Sequence, residues 1–69
     1  MTIAPSPLSP REHEILQLVA GGISIAEIAE RLGIREGTIR NHLRFVHAKL
    51  GVGKTNAAAA MAMRHGWIE

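Results

Sequence analysis

Residues 24–50 read Ser24-Ile25-Ala26-Glu27-Ile28-Ala29-Glu30-Arg31-Leu32-Gly33-Ile34-Arg35-Glu36-Gly37-Thr38-Ile39-Arg40-Asn41-His42-Leu43-Arg44-Phe45-Val46-His47-Ala48-Lys49-Leu50. The stretch opens on a serine placed to cap a helix, with a glutamate three residues later. In that pattern the serine oxygen accepts an orphan backbone N–H and the carboxylate answers the cap's own N–H. Ile28, Ala29 and Leu32 supply an apolar face, and Gly33 stands where a left-handed C-cap belongs. Beyond Leu32-Gly33-Ile34-Arg35, the residues Ile39, Leu43, Val46 and Leu50 recur at spacings of four, three and four. This is one narrow apolar stripe, and it predicts a helix over Glu36 to Leu50 that Gly51 stops. A capped helix, a glycine-bearing turn and a basic amphipathic helix in this order make a helix-turn-helix.

Burying the stripe fixes what the second of these helices turns outward. At about 100° per residue, Arg40 and Arg44 lie about 40° apart, with Asn41 and Ala48 flanking them on the same side. Arginine offers a bidentate fork to guanine O6 and N7, and asparagine does the same for adenine N6 and N7. Arg40, Asn41 and Arg44 are therefore the candidate base-reading residues. Thr38, near the helix start, is placed to meet a phosphate with help from the helix dipole. Arg35 and Lys49 are expected at phosphates rather than bases. Charge distribution agrees: from Arg35 to Lys49 there are four bases and one acid, whereas four of the six acids fall before Ile34.

Upstream, Ser9-Pro10-Arg11-Glu12 is a second capping box, with proline at the first helical position. Ile15, Leu16, Leu18 and Val19 give this helix its apolar face, and Gly21-Gly22 ends it. Residues 1–8 hold two of the three prolines and read as a linker or tail of a domain cut from a longer protein, leaving 9–69 as the folded unit. Downstream, Asn56 is the expected N-cap of a fourth helix running to His65, with Gly66 as its terminator. Residues 57–63, AAAAMAM, are apolar nearly all round, where a surface helix should carry a polar face. A small domain cannot bury a helix on every side, so this one is expected to pair with a second copy. Ala57, Ala60, Met61 and Arg64 are its contact residues, and pairing should be weak without DNA. No segment alternates with period two over a strand's length, so the fold class is all-α with four helices.

Four blocks now line up. They are Leu8-Ser9-Pro10-Arg11-Glu12, Ile28-Ala29-Glu30-Arg31-Leu32-Gly33-Ile34, Glu36-Gly37-Thr38-Ile39-Arg40-Asn41-His42-Leu43 and Ala48-Lys49-Leu50-Gly51-Val52. Together they resemble the LuxR-type (GerE-type) helix-turn-helix, over nearly the whole chain from residue 8. The closing Gly66-Trp67-Ile68 is similar to the domains that end NarL/FixJ-type response regulators. The resemblance implies a third helix that enters the major groove of double-stranded DNA, with Arg40, Asn41 and Arg44 at bases and Thr38 at phosphate. It implies a homodimer through the fourth helix, and a receiver or sensor domain, outside this chain, that controls dimerisation in a two-component system. The chain departs from the family in four places. Ile25-Ala26 stand where a lysine or other polar residue is frequent, Arg35 takes a cap position usually held by serine or threonine, and Thr55 replaces a common arginine. Phe45 lies off the stripe where a polar residue is usual, either against a thymine methyl or simply exposed.

Other chemistry finds little support. With 69 residues and no cysteine, the chain makes one small domain without disulfide or thiolate–metal staples. The N-terminus lacks a secretory pattern, and no run reaches the about 18 apolar residues of a membrane span, so a cytoplasmic home is expected. Gly53-Lys54-Thr55 resembles the end of a phosphate-binding loop, but Ala48 stands where that motif needs its first glycine. His13, His42, His47 and His65 form no i,i+4 pair, so no metal or cofactor is expected, and His42 is read as a structural, hydrogen-bonded side chain. Nothing resembles a catalytic constellation. The competing reading is a helix-turn-helix reused for protein–protein contact, with an enzyme a distant third.

Overall fold

The computed structural model describes residues 5–69, in which four helices follow one another: α1 Pro10–Ala20, α2 Ile25–Leu32, α3 Glu36–Leu50 and α4 Thr55–Arg64. No described residue lies in a strand. The fold is the all-α, four-helix arrangement that the stripe and caps predict. None of the described helices is long and apolar enough to cross a membrane.

The capping chemistry holds at α1 and half-holds at α2. Ser9 Oγ accepts from the Glu12 N–H at 3.2 Å, while Glu12 Oε1 accepts from the Ser9 N–H at 2.8 Å, and Pro10 opens the helix. Ser24 Oγ likewise accepts from the Glu27 N–H at 3.1 Å, but the expected return bond is absent. The Glu27 carboxylate instead lies 3.6 Å from Arg31, one turn further along the exposed side of α2. The fourth helix also begins earlier than Asn56. Lys54 is its N-cap, without a side-chain bond, and Thr55 is its first residue. The Thr55 hydroxyl sits 3.0 Å from His47 Nε2, which ties the start of α4 to the end of α3.

Two apolar clusters, strung along α3, hold the helices together. Ile15 of α1, Ile28 and Ala29 of α2, and Ile39 and Leu43 of α3 form the first. Leu16, Val46, Leu50, Ala58, Ala59 and Ala62 form the second, closed by Leu8 before α1 and Ile68 after α4. Helix α3 thus packs its first half on α2 and its second half on α4, while α1 touches both ends and α2 and α4 do not meet. Fully burying one such aliphatic side chain is worth about 1.5–3 kcal/mol.

Leu8, which the sequence places in the tail, packs against the helices. It is buried in the second cluster, and Ser6 Oγ accepts its N–H while lying 2.8 Å from His13 Nε2. Residues 1–4 of that tail lie outside the described part.

The turn between α2 and α3 rests on Gly33, whose φ of 67° is left-handed and whose N–H reaches back to Ala29 and Glu30. A Cβ added there meets nothing within 4 Å, so only backbone strain opposes a side chain. Gly33→Ala is expected to cost about 1 kcal/mol, which lowers Tm by about 4–8 °C in a domain this small. Thermal melting followed by circular dichroism measures it; an unchanged or higher Tm would contradict the strain.

Candidate nucleic-acid interface

The stripe of α3 is sunk in the two clusters, with Ile39 and Val46 inaccessible and Leu43 and Leu50 nearly so. The opposite face is open: Gly37, Thr38, Arg40, Asn41, Arg44, Phe45 and Ala48 are all exposed. All three expected base readers therefore stand together on the solvent side of one rigid helix. Arg40 lies 3.5 Å from Glu36 in an exposed i,i+4 pair, a contact of the kind worth at most about 0.5 kcal/mol and easily exchanged for another acceptor. Arg44 forms no hydrogen bond or ion pair among the described residues, so its five N–H donors face water.

At the start of α3, Arg35 is the N-cap, and its side chain makes no capping bond. Thr38 is exposed one turn in, with its N–H on the Arg35 carbonyl at 3.0 Å. Both stand at the positive end of the helix dipole, where an anion is favoured. His42 is half-buried beside the stripe but forms no hydrogen bond among the described residues, contrary to the expectation.

Lys49 has a partner that no spacing rule announces. Its ammonium lies 2.6 Å from Glu12 Oε1, the same oxygen that accepts the Ser9 N–H. The cap of α1 is thereby tied to the last turn of α3, thirty-seven residues away. The Glu12 side chain is only 5% exposed and that of Lys49 is 38% exposed. Burial by itself would raise the Glu12 pKa. The Lys49 hydrogen bond and charge, together with the Ser9 N–H and hydroxyl, outweigh it and hold the carboxyl below its ordinary value of 4.5.

A carboxylate whose pKa falls on folding contributes stability above its unfolded pKa and loses it as pH drops through the folded value. Thermal stability should therefore decline below about pH 4.5 as Glu12 takes up its proton. Glu12→Gln should melt lower at pH 7, by about 1–2 kcal/mol, because water already screens the exposed Lys49 end. It should also lose less than the parent between pH 5 and the acid limit. Equal acid sensitivity in the two proteins would remove Glu12 from this role.

Helix α4 buries Ala58, Ala59 and Ala62 and turns Ala57, Ala60 and Arg64 outward. Met61 is half-buried against the second cluster, whereas Met63 is 50% exposed. The outward apolar sulfur of this helix is thus Met63, which the sequence did not separate from Met61.

The family described as bacterial regulatory proteins, luxR family, matches residues 6–62. The chain is 39% identical over 64 residues to the transcriptional regulatory protein DesR of Bacillus subtilis (strain 168), covering 93% of this chain and 32% of that protein. It is 44% identical over 62 residues to the probable transcriptional regulatory protein NarL of Mycobacterium tuberculosis (strain ATCC 25618 / H37Rv), covering 90% of this chain and 29% of that one. This chain therefore spans about a third of the length of these relatives. Among solved structures, the transcription factor GerE superposes with a TM-score of 0.89 at 37% identity, covering 94% of this chain and 97% of GerE. The response regulator ChrA of a heme-sensing two-component system gives 0.85 at 39% identity, covering 93% of this chain and 32% of ChrA. The chain belongs to the luxR family of bacterial regulatory proteins and is a helix-turn-helix DNA-binding domain of that family.

Proposed function

We propose that this domain reads a specific site in double-stranded DNA with α3 in the major groove, acting as one half of a homodimer. The observation that carries the reading is the face of α3 opposite the buried stripe. There Arg40, Asn41 and Arg44 share one side of a helix whose other side is fixed by two clusters. Arg40 and Arg44 take guanine edges and Asn41 an adenine edge. Arg35 and Thr38 meet phosphates at the helix start. Lys49 keeps two of its three N–H donors beyond the Glu12 bond and adds a phosphate contact from the far end.

Ala57, Ala60 and Arg64, with Met61 and Met63, line the dimer contact along α4. The apolar surface there is small, so dimers form mainly on DNA. DesR, NarL and ChrA are each much longer than this chain and ChrA is a response regulator, which supports placing this domain as the output of a two-component response regulator.

Selection of bound fragments from random duplex DNA tests the reading, because it reports both the half-site and the spacing. One motif repeated at a fixed interval is expected. Affinity for it should fall linearly on a log–log salt plot, at about 0.9 per neutralised phosphate. Failure to enrich any motif would overturn the proposal.

A further inference from the structure

Phe45 is 60% exposed in the middle of α3 and, with Met63, is one of two large apolar side chains standing in water among the described residues. Among the described residues the phenyl belongs to neither apolar cluster, and more than half of the residue's surface faces water. Its position names what covers it. Phe45 follows Arg44 and lies one turn beyond Asn41, about 40° around the helix from it, on the edge of the face that carries both. Whatever receives the arginine and asparagine therefore also receives the ring. Along the floor of a major groove the base edges present donors and acceptors, and the apolar group that stands out from them is the C5 methyl of thymine.

On the reading that α3 enters this groove, we infer that Phe45 is a further specificity residue, packing its ring on a thymine methyl. Four residues of helix advance about 6 Å, against 3.4 Å per base step. The thymine thus sits one to two base pairs from the adenine that Asn41 reads. A methyl moved from water into apolar contact changes affinity about fourfold.

The test uses the duplex recovered by random selection, with each thymine replaced singly by deoxyuridine, which lacks only that methyl. For the parent protein, one deoxyuridine per half-site should weaken binding about fourfold. Phe45→Asn, at an exposed position, should fold normally by circular dichroism and bind the thymine and deoxyuridine duplexes equally. Should no thymine position separate the parent from Phe45→Asn while both bind the duplex, the role of Phe45 is refuted and the DNA reading stands. If the parent retains no duplex at all, both fall.

Discussion

Replacing Arg44 with alanine is expected to weaken binding to the selected duplex by about 5- to 150-fold, the range of one bidentate base contact. The loss should concentrate at one guanine. Against duplexes with that base changed, parent and variant should bind alike, because the contact that discriminated is gone from both. Arg44 suits this test because it has no hydrogen-bond or ion-pair partner among the described residues, so its removal leaves none of them unpaired. Arg40 must first release Glu36, 3.5 Å away, and its substitution should cost less. Lysine at position 44 should recover only part of the loss, since a point charge cannot reproduce the planar fork. Titrations against single-base variants at one fixed salt concentration provide the measurement. A loss spread evenly over all sequences would make Arg44 a phosphate contact instead.

Ile39→Ala should be strongly destabilising. Ile39 is inaccessible, sits in the first cluster with Ile15, Ile28 and Leu43, and fixes the front half of α3 against α2. Truncating such a side chain costs about 2–5 kcal/mol, where small cores supply only about 3–5 kcal/mol in total. A large fraction of the variant should therefore be unfolded at 25 °C. Ile39→Val, which keeps most of the volume, should cost about 0.5–1.5 kcal/mol. Circular dichroism melts of the two variants check this, and an Ile39→Ala melt within a few degrees of the parent would mean that this cluster does not hold α3.

What the sequence revealed depended on how far each contact reaches along the chain. The Ser9 cap, the left-handed Gly33 and the α3 stripe are local, so spacing alone exposes them. Because the stripe fixes the opposite face, Arg40, Asn41 and Arg44 could be placed together before any coordinates. The contacts that escaped reading are tertiary. Lys49 turns to Glu12 across thirty-seven residues. Leu8 joins a core built from the far end of the chain. His47 reaches Thr55, the first residue of α4, ahead of the apparent cap at Asn56. Met61 and Met63 differ in exposure only through the way α4 lies on α1 and α3, which a run of alanines does not encode.

The most direct test replaces the purines of the selected site with their 7-deaza analogues, which keep Watson–Crick pairing but lose the N7 acceptor in the major groove. If α3 lies in that groove with its two guanidinium groups on the base edges, the parent should lose tenfold or more. Arg44→Ala should be indifferent to the change at its own guanine. Undiminished binding of the parent to a fully 7-deaza duplex would show that the protein holds DNA by some other surface or groove.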